Sequence, residues 1–175
     1  MNELERVLSL IESRIGQEED LAYWSYHRMR YARSANSILQ ATRGMKPQDV
    51  RILDIGSHYL QLSSILSELG FSVFGIDVEE FADSELCRKR SELGRIEIRT
   101  MGDGLETGCF PFEDGERFDL ILFTETLEHL AFRPDRMWSG IFSLLRPKGQ
   151  VYLTTPNALS LRRIPLQILR LLSLR

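Results

Sequence analysis

The sequence predicts an α/β protein in which a parallel sheet lies between two layers of helices. Three observations carry this expectation. Short apolar runs rich in branched residues alternate with longer segments of helical spacing from residue 50 onward. The runs hold almost no polar residues, as strands buried on both faces require, while polar residues gather where each run ends. The stretch 50–80 (VRILDIGSHYLQLSSILSELGFSVFGIDVEE) shows the repeating unit most plainly, with two apolar runs around a helical segment and an aspartate in the last part of each run.

Leu4, Val7, Leu8, Ile11 and Ile15 recur at three and four, so residues 3–15 are expected to form an amphipathic helix that stops at Gly16. A second helix is expected over 19–43. It interleaves rings with positive charge in Tyr23, Trp24, Tyr26, His27, Arg28, Arg30, Tyr31 and Arg33. Either it packs its rings on the sheet and leaves its arginines in water, or it covers a ligand crevice with its cations facing a ligand carboxylate. Residues 1–45 are therefore set apart as an N-terminal helical lid, and 46–175 as the sheet-bearing part of one domain. Residues 44–49 turn into the first strand, 50–55. Leu62, Ile65, Leu66 and Leu69 place a helix over 59–69, Gly70 closes it, and 71–76 form the second strand with Asp77 at its end.

A charged helix over 80–93 and a third strand over 96–101 come next, followed by a turn at Gly102, Asp103 and Gly104. A loop through Pro111 and Gly115 leads to a fourth strand, 118–123, whose exit is 124–129. Residues 134–145 fit a helix, Pro147, Lys148 and Gly149 a turn, and 150–155 a fifth strand ahead of Pro156. The stretch 159–175 is apolar and basic at roughly helical spacing. It reads as core helix or as a helix resting on an anionic membrane.

With 175 residues, 43% apolar and 27% charged, the chain has enough apolar material for one core and little for a second. Its net charge of -3 argues against a protein held by nucleic-acid phosphates. Cys87 and Cys109 form no CxxC pair and have no histidine at metal spacing, so they are expected to be reduced thiols, with no metal site. The first twenty residues include Glu3, Glu5, Glu12, Glu18, Glu19 and Asp20, unlike a secretory signal, and no run is apolar and long enough to span a bilayer. A cytoplasmic protein without an integral membrane segment is the expectation.

A strand, helix, parallel strand unit crosses over right-handedly, and ligands of such sheets lie outside the carboxyl ends of the strands. Gly56 and Asp77 then share one crevice. A carboxylate about 20 residues beyond the first glycine can accept both hydroxyls of a ribose, and Asp77 lies 21 residues after Gly56. The alternative is that Asp77 only caps the next helix. His58 and Gln61 stand where a dinucleotide fingerprint wants glycine, and no Tyr-x-x-x-Lys pair is present, so NAD is not the expected ligand.

Five motifs follow in order: LDIGS at 53–57, GID at 75–77, GDG at 102–104, PFEDGERFDLILFTETLEHL at 111–130 and LRPKGQVYLTTPN at 145–157. Through them the chain resembles the class I S-adenosylmethionine-dependent methyltransferases, above all their small-molecule branch. The resemblance implies a three-layer, Rossmann-like sandwich with strands ordered 3, 2, 1, 4, 5 and without the family's last two strands. S-adenosylmethionine would lie across strands 1, 2 and 4. Residue by residue, it implies that Asp54 and Gly56 shape the methionine pocket, with Ser57 and His58 of the same loop also binding cofactor. Asp77 would hold the ribose hydroxyls, Val78 flank the adenine, Asp103 and Gly104 meet its edge, and Thr124 and Glu125 lie near the methionine end.

The chain departs from the family in two places. Further glycines usually stand where it has His58 and Leu60. The cofactor has no phosphate to cradle, so amides at the start of the following helix can still meet its carboxylate. Family members also add a helix and two strands after the fifth strand, and this sequence ends at about that helix. Strand five is then expected to be an edge, covered by the tail or by a second subunit, or else the sequence is a fragment.

The implied reaction is in-line transfer of a methyl group to an oxygen or nitrogen of a small-molecule acceptor, in which alignment and exclusion of water do most of the work. A hydroxyl acceptor gains from a base. His129 is the candidate, with Glu125 and Glu128 beside it, and His27 is a second. The alternative is that Glu128 and His129 only stabilise the turn after strand four. The TPN ending of strand five is similar to that of methyltransferases of glycan biosynthesis, which points to a sugar or lipid-linked acceptor. The alternative function is a methyltransferase-like binding module without catalysis.

Overall fold

The computed structural model of the chain describes residues 2–16 and 18–156. Five strands, β1 (Arg51–Ile55), β2 (Ser72–Asp77), β3 (Glu97–Thr100), β4 (Phe118–Thr124) and β5 (Leu145–Thr154), pair in parallel as one sheet in the order β3-β2-β1-β4-β5. That is the expected order. The helices are α1 (Glu3–Ser13), α2 (Glu18–Ala41), α3 (Gln61–Glu68), α4 (Glu79–Ala82), α5 (Glu85–Gly94), α6 (Gly104–Thr107) and α7 (Asp135–Ser143).

Side chains of a strand alternate between the two faces of the sheet, and each face has its own core. On one face Ile52, Leu120 and Leu122 pack with Val7, Leu8 and Ile11 of α1, Trp24 and Ile38 of α2, and Ile65 and Leu66 of α3. On the other, Leu53, Ile55, Ile121 and Phe123 pack with Met137 and Ile141 of α7. The same alternation sends Asp54 to the α3 face, where Ser63 meets it. The central strands β1 and β4 are almost wholly buried, whereas the edges β3 and β5 hold no buried residue.

Four elements differ from expectation, the first being α6, where a turn and loop were expected. The charged helix over 80–93 is two helices, broken where Ser84 caps α5 by accepting the Cys87 N–H at 3.2 Å. Helix α3 starts at Gln61 rather than 59, because His58 and Leu60 take left-handed backbone (φ 47° and 56°). Strand β5 starts at Leu145 rather than 150: the expected turn at 147–149 is an irregularity within the strand, with Lys148 at φ 69° and a slip of register opposite Phe118 and Leu120. The expectations for the tail 159–175 fall outside the described residues. Among the described residues, no helix is long and apolar enough to cross a membrane.

Candidate functional site

At the carboxyl ends of β1, β2 and β4 lies a cavity of about 640 Å³, with Asp54, Gly56, Asp77 and Thr124 on the sheet side and Tyr23, His27, Arg30 and Tyr31 of α2 forming a wall. Its floor is set by the turn after β1. Gly56 takes a positive φ of 73°, and a Cβ there would lie 2.5 Å from the Thr126 Oγ1. The turn therefore needs glycine both for its backbone and for the close approach of the loop that follows β4. The amides of Gly56 and Ser57 both donate to the Ile76 carbonyl, at 2.9 and 3.2 Å, which ties the turn to β2.

Two aspartates face this floor. Asp54 is 2% exposed. Its Oδ2 accepts the Ser63 hydroxyl at 2.6 Å, and its buried Oδ1 has no hydrogen-bond partner among the described residues. Burial raises its pKa to about 6, opposed by the Ser63 hydrogen bond and reinforced by the charge of Asp77. Asp77 accepts the backbone N–H of His58 at 2.5 Å on Oδ2 and that of Val78 at 2.7 Å on Oδ1. Burial pushes its pKa up and the two amide bonds pull it back. An ionised carboxylate offers about four lone-pair sites, so both oxygens of Asp77 keep room for a further donor.

Tyr31 of the α2 wall donates its hydroxyl to Gln61 Oε1 at 2.7 Å, and burial raises its pKa well above the usual phenol value. Arg30 pairs with Glu125 across the cavity at 3.4 Å. Burial first, and the neighbouring Arg30 second, lower the His27 pKa to about 4, so its imidazole is neutral at neutral pH. Nearer the β1 turn, the His58 ring stacks on Tyr23 at 4.8 Å and lies against Phe81 at 4.3 Å. At the rim, His129 has a side chain 77% exposed and stands 4.0 Å from Glu128.

Of the residues expected at the site, Asp54, Gly56, Ser57, His58, Asp77, Thr124, Glu125 and His129 line this one cavity, and so does the second base candidate, His27. Val78, Asp103 and Gly104 do not line it. Val78 is 40% exposed, and Gly104 is packed so that a Cβ would meet the Cys109 carbonyl oxygen at 2.7 Å. Sequence reading did not assign Gln61, Leu62, Phe81, Thr126 or Pro156 to the site, although all line the cavity. Gln61 carried no distinguishing signal, being one of several polar residues along α3. Thr126 carried none, since its contact with Gly56 exists only once β1 and β4 are neighbours. Among the described residues, no group of three or more His, Cys, Asp and Glu side chains is placed to hold a metal ion. The chemistry on offer is hydrogen-bond acceptance from hydroxyl or ammonium groups on the sheet side, positive charge from Arg30 on the α2 side and negative charge from Glu125 facing it.

A family model described as a methyltransferase domain matches residues 23–175. The chain is 29% identical over 106 residues to a ubiquinone biosynthesis O-methyltransferase of Coxiella burnetii, an alignment covering 61% of this chain and 43% of that protein. It is 31% identical over 120 residues to the enzyme of the same name from Parvibaculum lavamentivorans, with 66% and 44% covered. The chain thus spans less than half the length of these curated relatives. Among solved structures, the amino pentose methyltransferase CalS10 of Micromonospora echinaspora superposes with a TM-score of 0.60 at 20% identity, covering 78% of this chain and 56% of that one. The matched stretch takes in the whole parallel sheet as well as the α2 wall, and the chain belongs to the methyltransferase domain family.

Proposed function

We propose that the chain binds S-adenosylmethionine in this cavity and transfers its methyl group to an oxygen or nitrogen of a small molecule. The observation that carries the reading is the pair of aspartates open to one cavity, Asp77 with both oxygens already oriented by backbone amides and Asp54 with a buried Oδ1 that accepts from none of the described residues. A ribose diol suits the first, and an ammonium group suits the second. The Arg30 and Glu125 pair is complementary in charge to the zwitterionic end of an amino acid. Val78, Asp103 and Gly104 are assigned to the adenine by resemblance alone, and Phe81 is the ring that the cavity itself offers beside His58.

S-adenosylmethionine supplies a methyl group made electrophilic by its sulfonium. The protein's own task is placement and dryness: the α2 wall closes one side of the cavity, and the left-handed loop at His58 and Leu60 fixes the amide that orients Asp77. For a hydroxyl acceptor, His129 takes the departing proton at the rim, with Glu128 beside it. Glu125, held by Arg30 from across the cavity, polarises the acceptor. The names of the similar proteins, one in ubiquinone biosynthesis and one an amino pentose methyltransferase, together with the TPN segment, support a hydroxyl- or amine-bearing acceptor such as a sugar or lipid-linked intermediate.

Titration calorimetry with S-adenosylhomocysteine tests the cofactor. Heat is expected from the native chain and not from Asp77→Ala. The second reading, a binding module without catalysis, is favoured by His58 and Leu60 standing in the loop where further glycines are usual. It expects no heat with either form of the cofactor. His129→Ala tests the base: turnover falls while affinity for S-adenosylhomocysteine holds, and unchanged turnover removes His129 from the chemistry.

A further inference from the structure

His58 belongs to two contacts at once. Its backbone N–H donates to Asp77 Oδ2 at 2.5 Å, and its ring stacks on Tyr23 of α2 at 4.8 Å with the planes 25° apart. The residue sits at φ 47°, a left-handed conformation that a side chain makes costly, so something outside the loop must hold it there. Its ring is packed on three sides, by Tyr23, by Phe81 at 4.3 Å and by Tyr59 at 4.0 Å, and its carbonyl accepts from the Cys87 thiol. Phe81, Tyr59 and Cys87 follow β1 in the chain and belong to the sheet's own helices and loops, whereas Tyr23 comes from the N-terminal helix that forms the far wall of the cavity.

We propose that Tyr23 is a positioning residue for Asp77, acting through His58: its ring holds the His58 peptide in the left-handed turn, and that peptide's N–H aims the Asp77 carboxylate into the cavity. Relaxation of His58 toward negative φ withdraws the N–H and leaves one Asp77 oxygen without its anchor. The wall supplied by α2 thereby sets the geometry of the carboxylate on the opposite side, through the Tyr23 ring. The inference rests on the nucleoside reading of Asp77 given above, and it concerns residues that the glycine-rich form of the loop does not have.

A double-mutant cycle on affinity for S-adenosylhomocysteine, measured by calorimetry on the full chain, tests it. Tyr23→Ala in the native background is expected to weaken binding by about fivefold, the scale of one aromatic pair. The same change in a His58→Gly background is expected to cost much less than in the native one, because only the direct loss of wall remains once the ring it acts through is gone. Tyr23→Phe keeps the stack and restores native affinity. Equal losses in the two backgrounds overturn the proposal, as does a Tyr23→Phe variant no better than Tyr23→Ala. Thermal unfolding of each variant separates a loss of fold from a loss of aim: a Tyr23→Ala chain that has lost its cooperative transition is replaced in the cycle by Tyr23→Leu, with the same expected and overturning results. If the native chain binds no S-adenosylhomocysteine, the nucleoside reading fails, and this proposal with it. If the native chain binds and the cycle is additive, the positioning role alone fails.

Discussion

At the amino end of the sheet, Asp119 accepts the Arg51 backbone N–H at 2.8 Å and the Arg146 guanidinium at 2.7 Å. Glu116 pairs with Arg99 at 3.0 Å and with Arg51 at 3.6 Å, and the Arg51 guanidinium lies over the rings of Phe74 and Phe118, 4.7 and 5.1 Å from their centres. At the carboxyl end, Asp54 is buried against a single hydroxyl and keeps an oxygen with no donor among the described residues. The first end uses its charges on one another, and the cavity beside Asp119 is the smaller, about 220 Å³. The second holds carboxylates whose capacity is unspent, and the larger cavity opens there. Buried polar atoms without partners are rare in folded proteins, so where they gather beside a cavity they mark the place of a guest.

Asp54→Asn removes the buried charge while keeping an acceptor for Ser63. Its pKa of about 6 against an ordinary 3.8 corresponds to a rise in stability on the order of 3 kcal/mol at pH 7, read from urea unfolding, together with weaker binding of S-adenosylhomocysteine. No gain would mean that the open end carries no such cost, and the contrast with the amino end would fall. Gly56→Ala goes the other way. A left-handed alanine with its Cβ 2.5 Å from Thr126 Oγ1 is expected to cost about 2 kcal/mol, and adding Thr126→Ala should recover only the contact part, leaving the backbone strain.

At the amino end, Glu116→Gln is expected to cost less than about 1 kcal/mol, since its partners are partly exposed. Arg99 above all holds the Glu116 pKa below its ordinary value, so that contribution is present above pH 4.5 and is lost as pH falls through the lower folded value. The smallest effect is a change of slope. His27 has a folded pKa of about 4 against 6.5, so between these the unfolded chain takes up a proton that the folded chain refuses, and stability falls as pH drops. Asp54 has the opposite sign: between 3.8 and about 6 the folded chain holds the proton, and stability falls as pH rises. The two groups therefore oppose each other over much of this range, and His27→Gln, which removes one of them, is expected to leave unfolding midpoints that fall more steeply as pH rises through about 6.

The sheet was legible because its signals are local. Val50, Ile52, Leu53 and Ile55 are apolar for burial on both faces, and the glycine and aspartate that close each unit announce which edge is open. The strand order came from resemblance to a family, since no local spacing tells β4 that it will lie beside β1. What stayed hidden depends on contacts between distant segments. The split at Ser84 had a cap residue in plain view, but a run of charges reads the same with or without a break. The start of β5 was obscured because proline, lysine and glycine at 147–149 spell a turn, and only pairing with β4 turns it into a bulge. The part of the site given by Gly56 and Asp77 was readable from spacing. The part given by Thr126 and Phe81 was not, because it exists only after the loops have met.

Trp24 follows Tyr23 in α2 and is wholly enclosed, as are Ala35 and Ile38 farther along the same helix. One flank of that helix is chamber wall and the other is keel, so it cannot hinge like a door without dragging an indole into water. With that backbone held, the width of the cavity on this side is set by the side chains of Tyr23, His27 and Arg30 rather than by the placement of the helix.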